Sequence, residues 1–109
     1  ILIKIIMSLK KQFLKSKPIC KVTFCLMDDE VQNAKKIQLL GSFNAWKVKD
    51  AVLLKKFKNG SFKVTIDLET EQEYQFKYLV DGEKWVNDEM ADKYVSNGIG
   101  HEENSVVVL

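Results

Sequence analysis

"SFKVTIDLETEQEYQFKYLVDGEKW" (Ser61–Trp85) carries the pattern that decides the fold. Apolar residues recur at every second position: Phe62, Val64, Ile66 and Leu68, then Tyr74, Phe76, Tyr78 and Val80. Between them stand Lys63, Thr65 and Asp67, then Gln75, Lys77 and Leu79. Successive strand side chains point to opposite faces, so this period of two predicts two strands, each with a buried face and an outer face. The Asp81-Gly82 pair supplies a hairpin turn, because Asp and Gly both tolerate the positive φ angles such turns require. It leaves Trp85 undecided. A two-residue turn sets Tyr78 opposite Trp85 and drives the indole to the core face, away from Lys77. A bulge or a three- to four-residue loop reverses that choice.

The same period extends in both directions. "ICKVTFCLM" (Ile19–Met27) sets Cys20, Val22, Phe24 and Leu26 on one face, and "KIQLLGSF" (Lys36–Phe43) does so with Ile37 and Leu39. Asn59-Gly60 marks a second hairpin, between "LLKKF" and the Ser61 strand. "SVVVL" (Ser105–Leu109) reads as a buried closing strand, and "DDEVQNAKK" (Asp28–Lys36) as a short helix or a loop. Short strands with regular turns and no repeat predict an all-β immunoglobulin-like sandwich running from Pro18 to Leu109. Residues 1–17 read as an N-terminal arm, with disorder expected in the short basic "SLKKQFLKSK". Met7-Ser8 has the look of a natural start, and "ILIKIIM" lacks a charged leader and a cleavage site.

Composition narrows the function. The 109 residues contain 17 Lys plus Arg against 15 Asp plus Glu, a net charge of +2, too little to predict a nucleic-acid or anionic-membrane partner. No run approaches the roughly 20 apolar residues of a membrane span. Cys20 and Cys25 lie on opposite faces of one strand, about 16 Å apart when extended, so they do not pair with each other. Free thiols point to a reducing compartment, and a cytoplasmic location is expected. Neither a CxxC nor a His cluster is present, and His101 is the single histidine. Catalytic residues, metal ligands and cofactors are therefore not expected. Asp28–Glu30 lacks the glycine and spacing of a calcium loop and reads as a solvated turn.

Three segments, "IQLLGSFNAW" (Ile37–Trp46), "YQFKYLVDGEKWVND" (Tyr74–Asp88) and "ENSVVVL" (Glu103–Leu109), occur in an order and spacing that resembles the isoamylase N-terminal, or early-set, domain. That group is carbohydrate-binding module family 48, which includes the glycogen-binding domain of the AMP-activated protein kinase β subunit. The resemblance spans about Lys17 to Leu109 and looks closest to small stand-alone bacterial forms. It implies a non-catalytic domain that binds α-glucan, glycogen or a starch-like polymer, alone or beside a glucan-metabolising enzyme. It also implies the site: Trp46 after "GSFNAW" and Trp85 after "VDG" as stacking platforms, Lys77 in "YQFK" and Asn104 in "ENSVVVL" as hydrogen-bonding groups. By the same resemblance, Ile99 before Gly100 matches the apolar residue that in the kinase-type domain projects from this last loop into the sugar ring. The loop "SNGIGHEEN" (Ser96–Asn104) is one residue longer than the kinase pattern.

These residue types suit a sugar. A glucose ring has an apolar face of C–H groups and a rim of hydroxyls, so an indole covers the face and leaves the rim in water. Two stacks of about 60–80 Å² each contribute roughly 3–4 kcal/mol. Hydrogen bonds from Lys77 and Asn104 add about 0.5–1.5 kcal/mol each. Ordering the glucan offsets several kcal/mol, so weak binding, on the order of tens of micromolar to millimolar, is expected. The alternative is a protein-interaction or accessory module on the same sandwich, without sugar binding.

Overall fold

The computed structural model of the chain describes residues 9–27, 34–98 and 100–109. Ile99, Asp28–Glu30 with most of the helix-or-loop segment, and Ile1–Ser8 lie outside the described residues.

The molecule is an all-β, immunoglobulin-like sandwich. Its strands are β1 (Leu9–Phe13), β2 (Ile19–Leu26), β3 (Ile37–Gly41), β4 (Val52–Leu53), β5 (Lys55–Lys56), β6 (Phe62–Glu69), β7 (Glu73–Val80), β8 (Lys84–Val86), β9 (Lys93–Ser96) and β10 (Glu103–Val108). One sheet has the order β1-β2-β6-β5; the other is β4-β3-β7-β10-β9, with β8 also paired to β7. Every pairing is antiparallel. Among the described residues no helix is long and apolar enough to cross a membrane.

The inner faces are those the alternation assigns. Cys20, Val22, Phe24 and Leu26 of β2 meet Ile37 and Leu39 of β3 and Phe76, Tyr78 and Val80 of β7 in one core cluster. Phe76 sits edge-on to both Phe24 and Tyr78 at centroid distances of 5.0 and 5.8 Å, the arrangement aromatic quadrupoles favour. Both cysteines are buried, Cys20 opposite Leu68 and Cys25 opposite Lys63 on the other face of the strand.

One feature differs from the sequence reading. Leu9–Phe13 falls within the segment assigned to the arm, yet all five residues pair with β2, from Leu9↔Phe24 to Phe13↔Cys20. Lys11 Nζ then donates to Asp92 Oδ2 at 2.7 Å and to the Val108 carbonyl at 2.9 Å, tying this edge to the opposite sheet. Lysines on an edge strand read in sequence as a tail, because edges are where proteins place charge. The expected Asn59-Gly60 hairpin is present, joining β5 and β6 with Lys56 opposite Phe62. Phe57 N–H donates to the Ser61 carbonyl at 2.8 Å, and Gly60 N–H to that of Phe57 at 3.0 Å.

The outer face of the larger sheet is not a plain solvated face. Leu40 and Leu79 are buried there, outside the inter-sheet cluster and on the same side as Lys77. β3 ends beneath them at Gly41, opposite Phe76. A Cβ at Gly41 would stand 2.3 Å from the Gln75 carbonyl oxygen and 2.7 Å from the Phe43 ring. Backbone cannot yield as a flexible side chain does, so Gly41→Ala should destabilise the domain by about 1–3 kcal/mol; urea denaturation checks this.

Candidate functional site

Trp46 is placed by a short 3-10 turn, Ser42–Asn44, at the end of β3. The Asn44 side chain organises it: Oδ1 accepts from Gly41 N–H at 2.9 Å, and Nδ2 donates to the Leu39 and Asp50 carbonyls at 3.2 and 3.3 Å. Ala45 and Trp46 then take φ angles of 56° and 60°. A bulky residue in the left-handed region costs on the order of 1–3 kcal/mol. The Trp46 N–H bond to the Gly41 carbonyl, 3.0 Å, holds it there. The half-buried indole comes to rest against Trp85, with centroids 6.4 Å apart and planes at 63°.

The face of Trp85 is decided by the preceding turn. Asp81 and Gly82 both have positive φ, 52° and 71°, and Glu83 N–H donates to the Val80 carbonyl at 3.0 Å. The ladder, however, pairs Val80 with Lys84, Leu79 with Trp85 and Tyr78 with Val86. Glu83 is an extra residue, the loop has three members, and Trp85 stands on the face of Leu79 and Lys77, 46 % exposed. Asp81 Oδ1 accepts the backbone N–H groups of Lys35 and Lys36, both at 2.8 Å, and its own N–H donates to the Lys36 carbonyl. Those two bonds, that from Lys36 first, hold the exposed carboxyl below its ordinary pKa.

Lys77 is half-buried on the same face of β7 as Trp85. Three ion pairs join described residues, Lys11–Asp92, Lys21–Asp67 and Lys93–Glu73, and Lys77 belongs to none of them. Asn104 is buried at the start of β10, its Nδ2 donating to Gln75 Oε1 at 3.0 Å. A concavity of about 540 Å³ is lined by Trp46, Lys77, Trp85 and Asn104 together. Ile99 lies outside the described residues.

Sequence reasoning missed Asn87, Asn97, His101, Glu102 and Glu103, which line the same concavity. Asn87 had a signal, since it follows Trp85 by two residues. The others had none: "HEE" reads as a charged loop until the strands on either side, β9 and β10, bring it over the sheet. Asn97 Nδ2 donates to Glu102 Oε2 at 3.3 Å, joining the two ends of that loop. Among the described residues no group of three His, Cys, Asp or Glu side chains is disposed to hold a metal ion. Glu102 lies in the loop before β10, and Glu103 is the first residue of that strand. The concavity offers two apolar plates within a rim of amide, ammonium and carboxylate groups.

The family model described as the glycogen recognition site of AMP-activated protein kinase matches residues 31–109. The chain belongs to this family. No curated protein sequence matches it. The glycogen-recognition fold is shared with the crystal structure of the enterobactin esterase FES from Shigella flexneri, determined in the presence of 2,3-di-hydroxy-N-benzoyl-serine. That structure matches at TM-score 0.70 and 12 % identity, over 94 % of this chain. The match spans 32 % of the esterase chain, and at that identity it speaks for the fold alone.

For this glycogen-recognition domain the Asp81 contacts set a pH dependence. A carboxyl whose folded pKa is depressed contributes stability above its unfolded value, lost as pH falls through the folded one. Asp81→Asn keeps a neutral acceptor and tolerates the left-handed φ. The stability advantage of the parent over Asp81→Asn should therefore be constant near neutrality and shrink below pH about 4. Melting temperatures measured across pH 2–7 check this; an advantage unchanged at low pH would exclude a charge effect.

Proposed function

We propose that the domain binds α-glucan without catalysis, stacking glucose rings on Trp46 and Trp85. The observation that carries this reading is the gathering of both indoles, Lys77 and Asn104 around one concavity. Each indole contributes apolar area to a sugar face, while Lys77 Nζ donates to ring hydroxyls and the amides donate and accept. Because the planes stand at 63°, the two rings cannot stack on one flat strand of sugar. They suit a chain whose successive rings turn, as α-linked glucose does. Membership of a glycogen-recognition family supports the same ligand class. In this reading the domain brings a glucan-metabolising enzyme to its polymer.

Replacing Trp46 by Ala tests the proposal. One stack contributes about 1.5–2 kcal/mol, so affinity for maltoheptaose or β-cyclodextrin should fall roughly 10- to 30-fold. The melting temperature should change little, because the half-buried indole lies outside the core cluster and its left-handed backbone is relieved of a bulky side chain. Calorimetric titration and thermal melts on one preparation separate the outcomes. Unchanged affinity with unchanged stability would leave Trp46 without a sugar role and favour a protein partner for this face.

A further inference from the structure

Along β7 the neighbour changes on one side. β10 pairs with its first half, ending at Ser105↔Phe76, and β8 pairs with its second half, ending at Val86↔Tyr78. β8 and β10 thus run along the same edge of β7, one leaving and the other arriving, with Lys77 between the two pairings. The chain between them, which includes β9, departs at Asn87 and returns at Glu103. Nothing in a ladder joins the end of one such strand to the start of the next.

The Asn87 side chain fills that place. Its Oδ1 accepts from Ser105 N–H at 3.0 Å and from Ser105 Oγ at 2.8 Å, and its Nδ2 donates to the Glu103 carbonyl at 2.9 Å. An amide that accepts from the N–H of one residue and donates to the C=O of the residue two earlier makes the pair of bonds that a residue of a neighbouring parallel strand would make. The residue enclosed between those bonds is Asn104. Ser105 is fully buried, and its hydroxyl accepts from Asp88 N–H at 2.8 Å, so the clamp is anchored in the interior. Trp85 is two residues before Asn87 on the same short segment.

We infer that Asn87 is a positioning residue for the glucan site: its side-chain amide fixes the backbone on both sides of Asn104 and thereby sets Asn104 relative to Trp85. This rests on the glucan reading for its consequence, although not for its geometry. Asn87 acts through Asn104, so its loss should displace the Asn104 amide even in the unliganded domain.

The experiment combines NMR of the free protein with a double-mutant cycle on maltoheptaose affinity. Asn87→Ala should shift the side-chain amide resonances of Asn104 and weaken binding about tenfold, the equivalent of one misplaced hydrogen bond. Asn87→Asp keeps the acceptor for Ser105 and loses the donor to Glu103, so its effect should be intermediate; it carries the same comparison if Asn87→Ala does not fold. The double variant Asn87→Ala/Asn104→Ala should bind no more weakly than Asn104→Ala alone, since two residues acting through one contact are non-additive. Unmoved Asn104 resonances would overturn the inference, as would independent, multiplying effects in the cycle or a lowered melting temperature with unchanged affinity. If the parent protein shows no glucan affinity, the glucan reading fails, and the resonances still decide whether Asn87 positions Asn104.

Discussion

β7 governs both the stability of this domain and its candidate site. Its inner residues, Phe76, Tyr78 and Val80, are part of the core, while Lys77 and Leu79 face the other way, beneath the tryptophans. Side chains alternate strictly along a strand, so any change of register by one residue exchanges the two sets. β3 fixes the register on one side over Ile37–Gly41, and β10 and β8 share the other. The buried phenol of Tyr78, donating to Asp88 at 2.6 Å, adds a polar pin that a slipped register would break. A hydrogen bond to a buried carboxylate is among the stronger ones, because an unpaired buried charge is costly.

The site is built from deviations at the ends of that ladder. Glu83 adds one residue to the turn after β7 and carries Trp85 to the outer face. At the end of β3 the backbone adopts two left-handed residues in succession, a conformation that the hydrogen bonds of Asn44 and the Trp46 N–H maintain. Neither feature serves the core. Strain and unpaired strand edges persist in folded proteins where the surroundings over-determine them, and here they bring two indoles from distant parts of the chain to 6.4 Å. The outer face of the sheet, ordinarily left to water in an antiparallel sandwich, becomes a floor of buried Leu40 and Leu79.

How much of this was legible in the sequence differs by level. Period-two runs were sufficient for the strands and for their buried faces, since alternation is a local property and each of those strands has enough residues to display it. The family resemblance named Trp46, Lys77, Trp85, Ile99 and Asn104; the structure gathers all but Ile99, which lies outside the described residues, around one concavity. β1 was not legible as a strand, because Lys10, Lys11 and Gln12 mask a pairing that depends on β2 being beside them.

The sequence by itself determined that this is an all-β domain and which face of each long strand lies inside, because apolar side chains at a period of two can share one buried face only on extended strands. It also contained the turn residues, Asp81 and Gly82, that accept positive φ. Only the tertiary structure decided the face of Trp85, since both turn lengths are compatible with "VDGEKW" and the choice depends on how β8 pairs with β7. It likewise decided that Asn87, His101, Glu102 and Glu103 belong beside the tryptophans. Their neighbours are distant in the chain, and no local pattern records a contact made by the return of β10 to the edge that β8 has left.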